Sequence, residues 1–282
     1  MMTKNLPFHM QITQAIVLAA GLGTRLRPLT NHTAKPALTV GGIPILYYNL
    51  ALLQQYGVKN IVINLHHRPE SIRKILSAGG GPASGWRRLR MTSINISFSQ
   101  EKTLLGTGGG IVKAARLFKT EPFLVLNGDI LTNINLAKLI ETHFKKQALA
   151  TLAIVGPDQA KVANYIHYNA RGQVLGIGPR DCFADARNDI GLSLRASAKQ
   201  SRHGIFSGVS IIDPKLLTYF GKKKIGCLIR DLILPAIQDQ QKISTYHHKG
   251  FWCDLGDLAT LKKVNAALGK FNVGQAFQLN DH

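Results

Sequence analysis

Apolar and polar residues alternate in blocks from residue 14 to about residue 155, and each block has the period of one kind of element. Short, continuous apolar runs such as QAIVLAA and NIVINL are typical of strands buried on both faces of a parallel sheet. Between them, apolar residues three or four positions apart predict amphipathic helices. The predicted strands are residues 14–20, 60–65, 94–99, 123–127 and 149–155, and the predicted helices are residues 44–56, 69–77, 109–118 and 136–147.

This repeated strand–helix–strand order predicts a parallel sheet with helices on both faces. The pattern changes after residue 155, where the turn sequence NARG lies between two short apolar runs and predicts a hairpin. The sequence thus predicts one α/β domain with a parallel half and a mixed half. The predicted domain spans residues 14–270 and divides into halves at residues 14–155 and 156–270. It is flanked by tails at residues 1–13 and 271–282, and it contains two long predicted loops at residues 79–90 and 178–203. Further elements of the mixed half are predicted strands at residues 161–168, 173–177, 205–212 and 242–247 and helices at residues 226–238 and 257–268.

The charge balance narrows the classes of ligand. The chain of 282 residues has 35 Lys and Arg against 15 Asp and Glu, a net charge of +20, and such a surface attracts anions. Its basic residues are dispersed and have no interleaved aromatic residues, which favours a solvated basic face over a specific nucleic-acid-binding module. Three cysteines form no disulfide framework, and no apolar run reaches the roughly 18 residues of a membrane span. The N-terminus has no secretory signal, so we expect a cytoplasmic protein.

The strongest chemical signal is LAAGLGTRLRP at residues 18–28, followed by a Lys-Pro pair. A predicted strand leads into Gly21 and Gly23, where the lack of side chains lets backbone N–H groups approach a phosphate chain closely. Arg25 and Lys35 can then neutralise that chain. This run predicts a phosphate-binding loop.

Two better-known phosphate motifs do not fit this run. A dinucleotide-binding fingerprint would need a third glycine where Leu26 stands, and a P-loop would need a following Gly-Lys-Ser/Thr. A lone GxG would more often be an ordinary turn, but the full run with its arginine and the later Lys-Pro pair is far more specific.

Two aspartates provide candidate metal ligands. Asp129 follows the apolar strand at residues 123–127, and ligands of open α/β sheets bind at the carboxyl ends of strands. Asp254 lies in a second tight turn much later in the chain. Because Mg²⁺ prefers one or two carboxylates together with phosphate oxygens and waters, the two aspartates predict a Mg²⁺ site shared with a triphosphate.

The run at residues 18–28, the runs LGTGGG at 105–110 and NGD at 127–129, and WCDLG at 252–256 resemble the nucleotidyltransferases that make nucleoside-diphosphate sugars. The resemblance to this family, also called sugar-nucleotide pyrophosphorylases, covers nearly the whole chain. It implies a Rossmann-like, mixed and mostly parallel sheet with helices on both faces. It also implies an enzyme that transfers a nucleoside monophosphate from a nucleoside triphosphate to a sugar 1-phosphate, with Mg²⁺ as cofactor and pyrophosphate as the second product.

The resemblance also implies roles for individual residues. Arg25 would hold the leaving pyrophosphate, Lys35 the reacting phosphates, and Asp129 with Asp254 the Mg²⁺; Arg25, Lys35 and Asp129 are the expected catalytic residues. The expected nucleotide contacts are Leu18, Ala19, Ala20, Gly21, Gly23, Thr24, Glu101, Gly106 and Thr107. The expected sugar-side contacts are Asn127, Ser207 and Gly208.

The base and the sugar stay open at this point. Glu101 stands where many family members have glutamine, and a carboxylate could accept hydrogen bonds from guanine or from the uracil N3–H. The motifs are most similar to those of uridylyltransferases for N-acetylmuramate 1-phosphate, which implies a part in peptidoglycan recycling. Guanylyltransferases for mannose 1-phosphate are the alternative. A catalytically silent regulatory homologue that binds nucleotide sugars is a third hypothesis, against which the intact phosphate loop and aspartates argue.

Overall fold

The computed structural model describes residue 7 and residues 10–77, 94–160, 164–179 and 202–268. The predicted loop at residues 79–90, the greater part of the one at residues 178–203 and the tail at residues 271–282 lie outside the described residues.

Most predicted elements are present within a few residues of their expected ends. The strand at residues 60–65, the helix at residues 69–77 and the strand at residues 123–127 have the predicted bounds. Among the described residues, no helix combines the length and the apolar character that crossing a membrane requires. The strands are β1 (Gln14–Leu18), β2 (Thr39–Val40), β3 (Ile43–Pro44), β4 (Asn60–Leu65), β5 (Asn95–Gln100), β6 (Phe123–Asn127), β7 (Ile130–Thr132), β8 (Ala150–Val155), β9 (Tyr165–Tyr168), β10 (Val174–Gly178), β11 (Arg202–Ile212), β12 (Ile243–His247) and β13 (Trp252–Asp254). The helices are α1 (Ile45–Gln55), α2 (Pro69–Ser77), α3 (Gly106–Ala115), α4 (Leu136–Lys146), α5 (Leu234–Gln238) and α6 (Leu258–Leu268).

The central sheet has nine strands and is mixed but mostly parallel. Strands β5, β4, β1 and β6 lie side by side in parallel, as the first half of the sequence predicts. Strand β8 does not join them directly, because the antiparallel strand β11 lies between β6 and β8. Strand β12 pairs in parallel with β8, and β9 and β10 form the predicted hairpin. Among the nine described strands of this sheet, only β10 and β11 run against the others.

Strand β11 joins the two halves of the chain. It begins three residues before the predicted strand, pairs with β9 over Arg202–Gly204, with β8 between Ile205 and Ile212, and with β6 over Val209–Ile212. Its register against β8 shifts between Phe206 and Ser210, around Gly208 at φ +82°. This bulge, at a residue that tolerates positive φ, redirects the strand and lets it serve two sets of partners.

Both faces of the sheet are buried. In β1, Ala15 and Val17 belong to one hydrophobic cluster and Ile16 to the other, because successive side chains of a strand point to opposite faces. Helices α1, α2, α4 and α6 contribute to the first cluster. Helices α3 and α5 and the 3₁₀ segment Pro214–Phe220 contribute to the second. The predicted arrangement of helices on both faces is therefore present.

Helix α3 begins at Gly106, three residues before the predicted start. The N–H groups of Gly108 and Gly109 donate to the Gly226 carbonyl, which caps the helix from a neighbouring loop. A Cβ at Gly109 would lie 2.6 Å from the Lys224 carbonyl oxygen, closer than packed atoms allow. Glycines lower helix propensity, but here they allow a contact with this loop that larger residues would prevent.

The predicted helix at residues 226–238 begins later and changes its winding. A π-helical turn, Ile229–Ile233, leads into α5. Pro235 lies in α5 and has no N–H to donate to the preceding turn. The wider turn therefore precedes the position at which the regular hydrogen-bond pattern is interrupted.

Helix α4 yields a prediction on pH and stability. His143 is 3% exposed, and its Nδ1 lies 3.0 Å from Thr151 Oγ1. Burial lowers the pKa of His143 from 6.5 to about 4, and the Asp213 carboxylate opposes this only in part. The unfolded chain takes up a proton below about pH 6.5 and the folded chain only near pH 4. We therefore expect the free energy of unfolding to fall between these pH values, with His143 contributing roughly 3 kcal/mol of that fall.

Urea unfolding of the wild type and of His143→Gln between pH 4 and pH 7.5 measures this contribution. The variant should lose less stability across that range, whereas the change His32→Gln at an exposed position should leave the pH dependence as it is. Equal pH dependence in the wild type and His143→Gln would contradict the assignment.

Candidate active site

A cleft of about 340 Å³ opens beside the carboxyl end of β1. Most of the phosphate loop lies in its wall, together with the Lys-Pro pair and one of the two aspartates. The lining residues are Leu18, Ala19, Gly21, Leu22, Gly23, Thr24, Arg25, Lys35, Pro36, Leu104, Asp129 and Gly256. Eight of the residues singled out in the sequence therefore meet in one cleft.

The phosphate loop is fixed at Gly23. This residue has φ +62°, a conformation that glycine adopts without strain. A Cβ there would lie 2.8 Å from Thr30 Cγ2, and the Thr30 hydroxyl donates a 2.8 Å hydrogen bond to the Gly23 carbonyl. Glycine is needed at this position both for the backbone angle and for the approach of Thr30.

Asp129 and Asp254 become neighbours through a two-stranded pairing outside the main sheet. Strands β7 and β13 pair antiparallel, with Asp254 opposite Ile130. The N–H of Leu255 donates to the Asp129 carbonyl at 3.1 Å. Backbone hydrogen bonds therefore bring together two carboxylates that are far apart in the sequence.

Lys35 lies between the two carboxylates. Its Nζ is 2.5 Å from Asp129 Oδ2 and 3.7 Å from Asp254 Oδ1, and its side chain is 9% exposed. Because both oxygens approach one nitrogen, they lie within about 6 Å of each other. Burial and the Asp129 charge raise the pKa of Asp254, and Lys35 and Arg25 oppose that rise. The pair thus carries more negative charge than one lysine neutralises.

These residues fit an open magnesium site, completed by substrate and water, better than a metal site whose ligands all come from the protein. The described residues include no group of three or more His, Cys, Asp or Glu placed to hold a metal. Two carboxylates that converge on one cation are a suitable donor set for Mg²⁺, which takes its other ligands from substrate phosphates and water.

Arg25 supplies the second cation of the cleft. Its guanidinium packs against Gly256, where a Cβ would lie 2.8 Å from Nη2 and 3.1 Å from Cζ. Gly256 follows β13 by two residues, so the turn that carries Asp254 also supports Arg25. A phosphate chain in the cleft would meet Arg25 and Lys35 together.

Comparison with known proteins agrees with this geometry. The family model described as Nucleotidyl transferase matches residues 14–178, more than half of the chain. The chain belongs to the nucleotidyl transferase family. The predictions of this family, of the fold class and of an enzyme acting on sugar 1-phosphates are confirmed.

Individual nucleotidyl transferases are similar over most of the chain. An N-acetylmuramate alpha-1-phosphate uridylyltransferase of Neisseria meningitidis is 32% identical, over 91% of this chain and 98% of that protein. A mannose-1-phosphate guanylyltransferase catalytic subunit beta of Drosophila melanogaster is 25% identical, over 86% of this chain and 59% of that protein. A UDP-glucose pyrophosphorylase solved with UDP-glucose has the same fold, with a TM-score of 0.72 at 19% identity over 93% of this chain and all of that chain.

Glu101, a predicted base contact of this nucleotidyl transferase, lies behind the cleft wall. It is 2% exposed and does not line the cleft among the described residues. Its Oε1 accepts from Asn64 Nδ2 at 2.7 Å, and its Oε2 accepts from the Leu105 N–H at 2.9 Å. Asn64 Oδ1 in turn accepts from the Ala19 N–H at 2.6 Å. The sequence analysis missed Asn64, although a polar residue inside the apolar strand NIVINL is a signal for such a role.

Gly106 and Thr107, two further predicted nucleotide contacts, hold α3 against the loop at residues 224–228. The Leu228 N–H donates to Thr107 Oγ1 at 2.9 Å. Gly106 has φ +72°, and a Cβ there would lie 2.5 Å from the Gly226 carbonyl oxygen. Neither residue is among the described lining of the cleft, nor is the buried Ala20. Their part in nucleotide binding stays a prediction.

The predicted sugar-side residues lie together on the neighbouring strands β6 and β11. A Cβ at Gly208 would lie 2.7 Å from Asn127 Nδ2, so the glycine leaves room for that amide. Ser207 is buried, its hydroxyl accepts from the Val209 N–H, and its carbonyl accepts from Trp252 Nε1 at 2.8 Å. These contacts link the group to β13 and therefore to Asp254, while the described cleft lining includes none of the three residues.

The position of Arg25 leads to a prediction. Arg25→Ala should lower kcat about 100-fold or more, because the predicted role of this charge is to neutralise the negative charge that develops on the leaving group. Apart from its contact with Gly256 the side chain is exposed, so the melting temperature should change by at most a few degrees.

Arg27→Ala is the matched control, since Arg27 is also exposed, stands on the same segment and does not line the cleft. Steady-state kinetics and thermal unfolding of both variants separate the two effects. A near-normal rate in Arg25→Ala would show that the leaving group does not depend on this charge.

Proposed function

We propose that the enzyme transfers the uridylyl group of UTP to N-acetylmuramate 1-phosphate, giving a UDP-sugar and pyrophosphate. The observation that carries the choice of substrate is the N-acetylmuramate alpha-1-phosphate uridylyltransferase at 32% identity, of which this chain covers 98%. The cleft supports the class of reaction, because Arg25 and Lys35 provide charge for the phosphates and the two aspartates provide ligands for a metal.

The reaction is a displacement at the α-phosphorus. A phosphate oxygen of the sugar 1-phosphate attacks, a new P–O bond forms, and the bond from the α-phosphorus to the bridging oxygen breaks as pyrophosphate leaves. Since the nucleophile is already an anion, no strong general base is needed. Catalysis then consists of positioning and charge neutralisation. Arg25 holds the leaving pyrophosphate, and Lys35 holds the reacting phosphates.

Asp129 and Asp254 would hold the Mg²⁺ cofactor together with the triphosphate. When bound, the ion supplies positive charge to the phosphate oxygens of the nucleotide. Lys35, already hydrogen-bonded to Asp129, keeps that carboxylate in place beside the cleft. The backbone of the glycine loop, from Gly21 to Thr24, cradles the phosphates. The group formed by Asn127, Ser207 and Gly208, which lies outside the described lining of the cleft, is the proposed sugar side.

A guanylyltransferase for mannose 1-phosphate is the second candidate. It is supported by a relative at 25% identity, of which this chain covers 59%. The shorter coverage is the reason for ranking it second. With the first candidate, the enzyme would act in the cytoplasm and return N-acetylmuramate from the cell wall to nucleotide-sugar synthesis.

A substrate panel tests the choice. Pyrophosphate release is measured for each of the four nucleoside triphosphates with N-acetylmuramate, mannose and glucose 1-phosphates. We expect the highest kcat/KM for UTP with N-acetylmuramate 1-phosphate. A preference for GTP with mannose 1-phosphate would transfer the assignment to the second candidate. Calorimetric binding of a nucleotide sugar without turnover of any pair would indicate the silent homologue.

The metal pair can be tested with Asp129→Asn and Asp254→Asn. Each change keeps the size of the side chain but removes one negative charge, so Mg²⁺ should bind less tightly and most activity should be lost. Because both carboxylates serve one ion, the double variant should be little slower than the more damaged single variant.

Rates and nucleotide affinities over a Mg²⁺ titration measure this coupling, with Asp158→Asn as the control at an exposed position. Wild-type activity of Asp254→Asn at limiting Mg²⁺ would overturn the shared site.

A further inference from the structure

We propose that Glu101 is a positioning residue that ties together the two walls of the nucleotide cleft and does not itself contact the base. The inference rests on the nucleotide site proposed above. It concerns how the site keeps its shape, and it makes no use of which base or sugar is bound.

One wall of the cleft is the backbone at the end of β1. Leu18 and Ala19 line the cleft, and two hydrogen bonds hold their backbone. The Leu18 carbonyl accepts from the Gly128 N–H at 2.8 Å, and the Ala19 N–H donates to Asn64 Oδ1 at 2.6 Å. Asn64 is 3% exposed, and its Nδ2 donates a second hydrogen bond to Glu101 Oε1. Glu101 thus fixes this wall through Asn64.

The other wall is the segment that follows β5. Leu104 is 38% exposed and lines the cleft, and the N–H of its neighbour Leu105 donates to Glu101 Oε2 at 2.9 Å. The same carboxylate therefore binds one wall directly and the other through one amide. Hydrogen bonds that are buried and accepted by a carboxylate are shorter and stronger than exposed hydrogen bonds between neutral groups.

The chemistry of the carboxylate sets the direction of every hydrogen bond in this chain. Glu101 only accepts, so Asn64 must turn its NH₂ group toward it. The carbonyl oxygen of Asn64 then faces the Ala19 N–H. A glutamine at position 101 would carry only one acceptor for two donors.

Gly110 shows that α3 leaves space for this arrangement. A Cβ at Gly110 would lie 2.7 Å from Asn64 Nδ2 and 2.9 Å from Glu101 Oε1. Since any side chain there would push into the Asn64–Glu101 hydrogen bond, the last glycine of the run LGTGGG is explained by the pair rather than by a phosphate. The glycine run and the polar pair form one structural unit.

The direction of the bonds provides a reciprocal test. Glu101→Gln alone sets an N–H group against the donor of Asn64 or of Leu105. Asn64→Asp alone sets a carboxylate oxygen against Glu101 Oε1. Both changes together restore one donor for each acceptor. The amide of Gln at position 101 donates to the carboxylate of Asp at position 64, and that carboxylate still accepts from the Ala19 N–H. The amide oxygen at position 101 accepts from the Leu105 N–H. The double variant also keeps the net charge of the pair.

The experiment measures the nucleotide Kd by calorimetry, and KM and kcat for both substrates, in the wild type, both single variants and the double variant. It uses whichever nucleoside triphosphate the wild type prefers. Each single change should raise the nucleotide Kd and KM about tenfold, the effect of losing one buried hydrogen bond, and leave the KM of the sugar 1-phosphate within about twofold. The double variant should recover nucleotide affinity to within about threefold of the wild type.

The matched control, Glu121→Gln with Asn95→Asp, makes the same two exchanges at exposed positions and should change neither constant. A double variant that binds nucleotide no better than the worse single one would overturn the proposal, and so would one that does not fold. A changed base preference that persists in the double variant would assign Glu101 to the base instead. If a single variant does not fold, the double variant alone decides.

Failure of the proposed function has a different signature. A wild type that prefers another nucleotide or sugar would change the substrate assignment, yet the rescue could still be measured with that nucleotide. A wild type that binds no nucleoside triphosphate would refute the proposed site itself.

Discussion

The site depends on one backbone interaction, the antiparallel pairing of β7 with β13. It places Asp254 opposite Ile130 and thereby beside Asp129, and the bond from the Leu255 N–H to the Asp129 carbonyl closes the pair. Lys35 takes its position from the two carboxylates, and Arg25 rests on Gly256 of the following turn. Arg25, Lys35 and Asp129 therefore line one cleft, and Asp254 lies beside them in contact with Lys35. If this pairing opened, each of them would lose a partner at the same time.

Glycines perform two separate tasks in the molecule. Gly23 allows a backbone angle and a close approach within the loop that faces the cleft. The glycines at the start of α3 permit contact with the loop at residues 224–228 and, at Gly110, with Asn64 and Glu101. Both groups look alike in the sequence, because the absence of a side chain does not reveal whether a ligand or the protein itself fills the space. The surrounding atoms distinguish them: the first group borders the cleft and the second is packed against protein.

The sequence allowed the buried strands, their parallel order and the convergence of Arg25, Lys35 and Asp129 to be predicted, because apolar runs and motif spacing are local properties. The position of β11 between β6 and β8 was not predictable in the same way, since strand order is set by contacts between distant segments. The base contact of Glu101 stays a prediction, whereas its hydrogen bond to Asn64 was not predictable because Asn64 belongs to another strand. Asn64 itself was overlooked within an apolar run. The sequence therefore indicates which residues matter more readily than it indicates the residues that they contact.

The charges of the site explain why a cation and the nucleotide should bind together. Overall the chain carries +20, which attracts polyanions, but the aspartates place negative charge at the position proposed for the phosphates. Lys35 lies against both carboxylates, so much of its positive charge is already balanced by them. Burial and the Asp129 charge raise the pKa of Asp254. A triphosphate entering alone would therefore meet Arg25 on one part of its surface and an incompletely neutralised pair of carboxylates on another. In the proposed site a divalent cation would remove that repulsion, and the carboxylates and the phosphates would share it as a ligand set that neither provides alone.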